Sequence, residues 1–163
     1  MMSRTTFSGP VRSGTNRYAP YQNVGTTVLT QQVPITFDAT LVQNATFYIP
    51  SGSKILNIVV DVITAYNSAT SATLSVGKTS GGTEYASGVN AKTSGRTTPT
   101  FTTTQLTNMQ ATPVDVSSQT AGNTGSSSAI VATVTSVGQP TAGTGFVTIT
   151  YAQPDDRSAT GQQ

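Results

Sequence analysis

The chain contains no histidine, no cysteine and no tryptophan, and only 9% of its residues are charged. Without His or Cys it lacks the usual zinc ligands, the neutral-pH imidazole proton shuttle and any thiol nucleophile, which excludes a Ser-His-Asp arrangement. No disulfide can brace the fold, so stability has to come from packing or assembly, and the redox character of its compartment leaves no trace. Average soluble domains are roughly 25% charged, so something other than charge keeps this surface wet. The acidic side chains are Asp38, Asp61, Glu84, Asp115, Asp155 and Asp156. Acid–base hydrolysis of a sugar bond needs two of them to converge. Asp61 lies inside an apolar run and is expected to point away from the core or to accept hydrogen bonds at an edge. Asp155-Asp156 reads as solvated charge. No enzymatic activity, metal or cofactor is expected.

What is abundant is the small hydroxyl: 32 Thr and 18 Ser among 163 residues. Threonine is β-branched, which suits a pleated sheet and lowers helix propensity. The length fits one domain with tails. The formal net charge is +2, but it is unevenly placed. Arg4, Arg12 and Arg17 precede the first acidic residue, and the rest holds five basic and six acidic residues. A basic arm on a nearly neutral body suits docking on an acidic surface. The scattered basic residues form no stripe and no recognition helix is apparent, so no specific nucleic-acid partner is expected. The start, Met-Met-Ser-Arg-Thr-Thr, lacks an apolar signal core, and no run approaches the 18 apolar residues of a membrane span. The expectation is a soluble protein made in the cytoplasm, without a membrane partner.

Three segments emerge along the chain: an extended N-terminal arm over 1–33, a β-sandwich or jelly roll of about seven or eight strands over 34–153, and a flexible tail over 154–163. In the arm, Phe7, Tyr18 and Tyr21 are interleaved with Arg4, Arg12 and Arg17. Aromatic and Arg side chains dominate interface hot spots, so these six are the expected neighbour contacts. Alternation at Ile35, Phe37, Ala39 and Leu41 predicts a first strand, and Ala45–Ile49 a second. Pro50-Ser-Gly52-Ser53 supplies a turn. Lys54–Tyr66, the most apolar run, predicts a central strand at the heart of the core. Ala72–Val76 follows, then a glycine-rich excursion over 77–96 in which Tyr85, Ala86 and Val89 can be buried. Thr102–Met109 is the one helical turn, with Thr102 as N-cap and Leu106 and Met109 spaced three apart. A short strand at Val114–Ser117 precedes the closing pair at Ala129–Val137 and Gly145–Ala152. The regular count of short strands and turns is that of a sandwich or jelly roll.

Ala72-Thr-Leu-Ser-Val-Gly77-Lys78-Thr79 satisfies a loose phosphate-loop pattern. Such a loop needs flexible residues that curl round phosphates and then open a helix. Here Thr73–Val76 alternate like a strand and Ser80-Gly81-Gly82 cannot start a helix, so the match is discounted.

At Tyr48-Ile-Pro-Ser-Gly-Ser-Lys-Ile-Leu-Asn-Ile-Val-Val-Asp-Val-Ile-Thr-Ala-Tyr66-Asn67, followed by Ala72–Gly77, the chain resembles small virion structural proteins of tailed phages. The resemblance lies in a Pro-x-Gly turn, a β-branched strand ending at an aromatic-Asn pair, and a short strand running into Gly. It extends through Tyr85–Gly95 and the closing pair, covering about residues 35–152. It implies a capsid decoration or cement protein, often a homotrimer, outside the shell and bound to the major capsid protein. Two other roles fit the same composition: a fibre module binding a receptor or sugar, for which Tyr66 and Tyr85 are the obvious aromatic platform, and a head-to-tail joining protein.

Overall fold

The computed structural model describes residues 27–50, 52–110 and 127–153. Eight strands run β1 Val28–Thr36, β2 Val42–Pro50, β3 Lys54–Thr64, β4 Ser71–Gly77, β5 Ala86–Asn90, β6 Gly95–Thr97, β7 Ser127–Val137 and β8 Thr144–Ala152, with one helix, α1 Thr103–Asn108. They form two four-stranded antiparallel sheets, β1-β8-β3-β6 and β2-β7-β4-β5. The first strand pairs with the eighth, the second with the seventh, the third with the sixth and the fourth with the fifth. That nesting is a long hairpin rolled into two layers, a jelly roll.

Period-two alternation builds the core. From β3, Ile55, Ile58, Val60 and Val62 point inward; β7 adds Ile130, Ala132 and Val134, and β8 adds Val147, Ile149 and Tyr151. Phe47, Ile49, Leu74 and Val76 complete the facing layer. β3 is an interior strand, as its composition predicts, yet Leu56 and Ile63 of that run are 44% and 62% exposed. Both sit at register shifts against β8, where a bulge turns them off the inner face.

The chain enters β1, leaves β8, enters β7 and turns from β2 to β3 at one end of the sandwich, where Val28 pairs Ala152, Ala152 pairs Lys54 and Pro50 pairs Ser127. We call this end proximal. α1 closes it: Ile55 N donates to Met109 O at 2.8 Å, and Gln105 and Asn108 side chains donate to Thr83 O and Glu84 O at 3.1 Å each. The predicted N-cap is present as a full capping box between Thr102 and Gln105. Met109 is buried, but Leu106 is 46% exposed; Gln105 takes the inward position instead.

Three expectations need correction. β1 starts at Val28, so residues 28–33 belong to a strand and not to the arm. The alternation from Ile35 stops at Thr36, because Asp38 Oδ1 accepts from Thr40 N at 3.0 Å and Ala39 takes a φ of 63°, bending the chain into β2. The excursion over 77–96 contains β5 and β6, edge strands too short to leave a period. The strand expected at Val114–Ser117 and the tail from 154 lie outside the described residues.

Candidate interaction surfaces

The six expected contact residues, Arg4, Phe7, Arg12, Arg17, Tyr18 and Tyr21, lie outside the described residues. What the fold fixes is where their segment joins the body: directly at the start of β1, at the proximal end.

The described carboxylates are all engaged separately. Asp61 faces outward on β3, and Arg96 on β6 forks onto it, Nε to Oδ1 at 2.6 Å and Nη2 to Oδ2 at 3.1 Å. This is the edge hydrogen bonding expected for Asp61. Asp38 caps its own turn, and its bonds to Thr40 hold its carboxyl below the usual carboxylate range. Glu84 Oε2 accepts from Lys78 N at 3.2 Å. Among the described residues no three metal-binding side chains gather.

The residues matching the phosphate-loop pattern form strand β4, and the amide of Lys78 is already held by Glu84. The loop after β4 folds back over the outer face of its own sheet. There Gly81 N donates to Thr133 Oγ1 at 2.9 Å, and the Ser80 and Thr133 hydroxyls both donate to Asn44 Oδ1, at 2.9 and 2.8 Å. Gly77 and Gly82 make this possible. A Cβ on Gly77 would lie 2.3 Å from Glu84 Oε2 and 2.4 Å from the backbone of Gly82.

The Tyr66-Asn67 pair is a structural clamp at the distal end. Tyr66 is 2% exposed, its hydroxyl donates to Ile35 O at 3.3 Å, and its ring covers Gly143, where a Cβ would approach to 2.5 Å. Asn67 Oδ1 accepts from Thr141 N and Ala142 N at 2.8 and 3.0 Å, and Asn67 Nδ2 donates to Thr141 Oγ1 at 2.8 Å. Nearby, the Lys92 ammonium donates to Ser68 O at 2.8 Å. These bonds tie the end of β1 and the β3–β4, β5–β6 and β7–β8 connections together. Tyr85 is fully buried too. Burial pushes both phenols up to about 12, aided by Asp38 near Tyr66 and Glu84 near Tyr85. Neither ring can offer the stacking platform that a sugar site would need, which corrects that expectation.

The exposed large apolar side chains gather at the two ends and avoid the sheet centres. Val28, Leu29, Tyr48, Leu56 and Leu106 flank the proximal end, and Leu41, Val42, Ile63 and Val137 the distal end. Phe146, 37% exposed, stands between them on the outer face of β8 beside the threonine and glutamine row of β1. That face is otherwise hydroxyl-lined, with Gln32 Nε2 donating to Thr148 Oγ1 at 3.1 Å and Thr30 Oγ1 bonded to Thr150 Oγ1 at 3.4 Å. Sequence reasoning missed the edge formed by β1. Its signal was an uncharged stretch, Val28–Thr36, that carries Pro34.

The chain matches no protein-family model and no curated protein. Among solved structures it is similar to a chain of the cyanophage Pam1 capsid asymmetric unit, with a TM-score of 0.55 and 21% sequence identity, over 94% of this chain and 100% of that one. At that identity the likeness establishes a shared fold: both chains are built on the same β-sandwich.

Proposed function

We propose that this chain is a virion structural protein of a tailed phage, a cement protein on the outside of the capsid that bridges major capsid subunits and acts through contact alone. The observation that carries the reading is the fold shared, over nearly the full length of both chains, with a component of a cyanophage capsid. The body suits the role. Its described carboxylates are spent on a turn, a loop and an ion pair, its sheet faces carry hydroxyls, and its exposed large apolar residues other than Phe146 sit at the two ends where neighbours would be met. The arm, with three arginines and no acid, is joined to the body at the proximal end and would lie along an adjacent subunit. Three copies around a junction would multiply weak contacts into firm attachment. DNA packed inside the head pushes subunits apart, and bridging contacts oppose that separation.

Cryo-electron microscopy of the particle whose genome encodes the chain tests the reading. Density for the sandwich is expected outside the shell, repeated at junctions of the major capsid protein. Density confined to the portal vertex, to fibres, or absent from the particle would overturn it. The arm is tested separately by removing residues 2–26, which leaves β1 intact, and measuring attachment to capsids lacking the protein. Undiminished attachment removes the arm from the mechanism.

A further inference from the structure

The two sides of the sandwich treat their open strand edges differently. On one side the outermost strands are β5 and β6, five and three residues long, with an irregular register on β4 and a salt bridge at Arg96. Short, bulged, charged edges resist pairing with another chain. On the other side stand β1 and β2, nine residues each and without a charged residue in either. β2 is blunted from within the chain: Val42 O accepts from Thr40 Oγ1 at 2.7 Å, and Tyr48 O accepts from Gln31 Nε2 at 3.1 Å.

β1 has no such protection. At its ends Thr27 O accepts from Gln153 N and Phe37 N donates to Gly143 O, both at 2.9 Å, so the odd-numbered residues bond inward to β8. The alternation of an antiparallel ladder then turns the N–H and C=O groups of Val28, Thr30, Gln32 and Thr36 outward. Among the described residues nothing bonds to this row. Pro34, which has no N–H, falls in it too, where a proline costs the sheet nothing. Val28 and Leu29 are 53% and 40% exposed beside it.

We propose that β1 pairs with β1 of a second copy of this chain, antiparallel across a two-fold axis at Thr30. Thr30 then lies opposite Thr30 of the partner subunit, and Val28 and Gln32 lie opposite Gln32 of the partner subunit and Val28 of the partner subunit. These are three closely bonded pairs, about six backbone hydrogen bonds in all. Pro34 lies beyond them. A two-fold contact sets the residue on its axis against its own symmetry mate, so a charge at the centre would face its like. The strand carries none. A Thr–Thr pair at the axis is favourable across strands, and the result is one continuous eight-stranded sheet. On a shell this contact would link neighbouring clusters of copies, and it stands independently of the cement reading.

Sedimentation of the full chain tests the proposal. A dimer is expected, and it should weaken at least about tenfold in Thr30→Lys, where like charges meet at the axis. Thr30→Pro, which removes an outward N–H and the surface hydroxyl facing Thr150 but no backbone bond to β8, should do the same while leaving the circular dichroism of the monomer unchanged. Mixing Thr30→Lys with Thr30→Glu should restore the dimer as a heterodimer. Removing residues 2–26 should leave dimerisation intact. A wild-type chain that stays monomeric, association indifferent to both Thr30 changes, or association lost with residues 2–26 would each overturn it. None of these outcomes bears on whether the protein is found on capsids, which the imaging experiment reads separately.

Discussion

A methyl group on Gly77 would meet Glu84 Oε2 at 2.3 Å and the Gly82 backbone at 2.4 Å, and the backbone cannot step aside without lifting the loop off Thr133 and Asn44. Gly77→Ala is expected to cost about 1–3 kcal/mol, read as a lower urea midpoint at unchanged slope. Tyr85 presents the opposite case, because its buried hydroxyl has no hydrogen-bond partner among the described residues. Tyr85→Phe removes an unpaired polar atom at nearly constant shape, so its stability at neutral pH should be equal or higher. Alkali links Tyr85 with Tyr66. Both phenols ionise near 10 when unfolded and at about 12 when folded. The folded state therefore favours their neutral forms, a contribution fully present below pH 10 and lost as pH rises toward 12. Urea midpoints measured between those values should fall in the wild type and fall less steeply in Tyr85→Phe. The Asp61–Arg96 pair is worth little by contrast: the Arg96 side chain is 75% exposed, so Arg96→Ala should leave the urea midpoint nearly unchanged. The outward direction of Asp61 was legible in the sequence from the inward alternation of its neighbours. The clamp built from Tyr66 and Asn67 was not, since its partners at 35 and 141–143 are distant in the chain.

Single elements were readable where a local rule decides them. Helix α1 is one: Thr102 and Gln105 stand three apart, each satisfying an amide the helix start leaves open. Thr102→Ala should cost about 1 kcal/mol, seen as a lower midpoint in thermal or urea unfolding. β7 and β8 are others, because the inner face of each is mostly apolar and the outer face carries threonine. β1 was misplaced because its inward positions Leu29, Gln31 and Val33 look no more apolar than its outward ones, and only Ile35 is fully buried. The turn that ends it is written in Asp38 and Thr40, which also fit the alternation they interrupt. β5 and β6 escaped because a three- to five-residue strand at a sheet edge buries too little to show a period. The expected arm contacts sit outside the described residues, so the edge of β1 is the part of the interaction surface that the fold brings into view.

At the level of the whole molecule, strand number and all-β character follow from composition and turn spacing, while the winding does not. In the nesting of first with eighth and second with seventh strands, β4 and β5 are the only paired strands among the described residues that follow each other in sequence. No local signal encodes the rest, and closing such long loops before contacts repay the entropy makes folding slow. Refolding followed by stopped-flow fluorescence of the tyrosines is expected in the millisecond to second range, as for other non-local β-proteins. The common exit of β1 and β8 at the proximal end has a mechanical consequence. A pull that separates Val28 from Ala152 peels the two strands apart, breaking their bonds one after another at low force. A pull along β1, with the body held at its distal end, loads all nine residue pairs of that ladder together. In the proposed bridging role, the chain would therefore hold far better against a swelling shell when tension runs lengthwise through β1 than when it tugs the chain's two flanks away from each other.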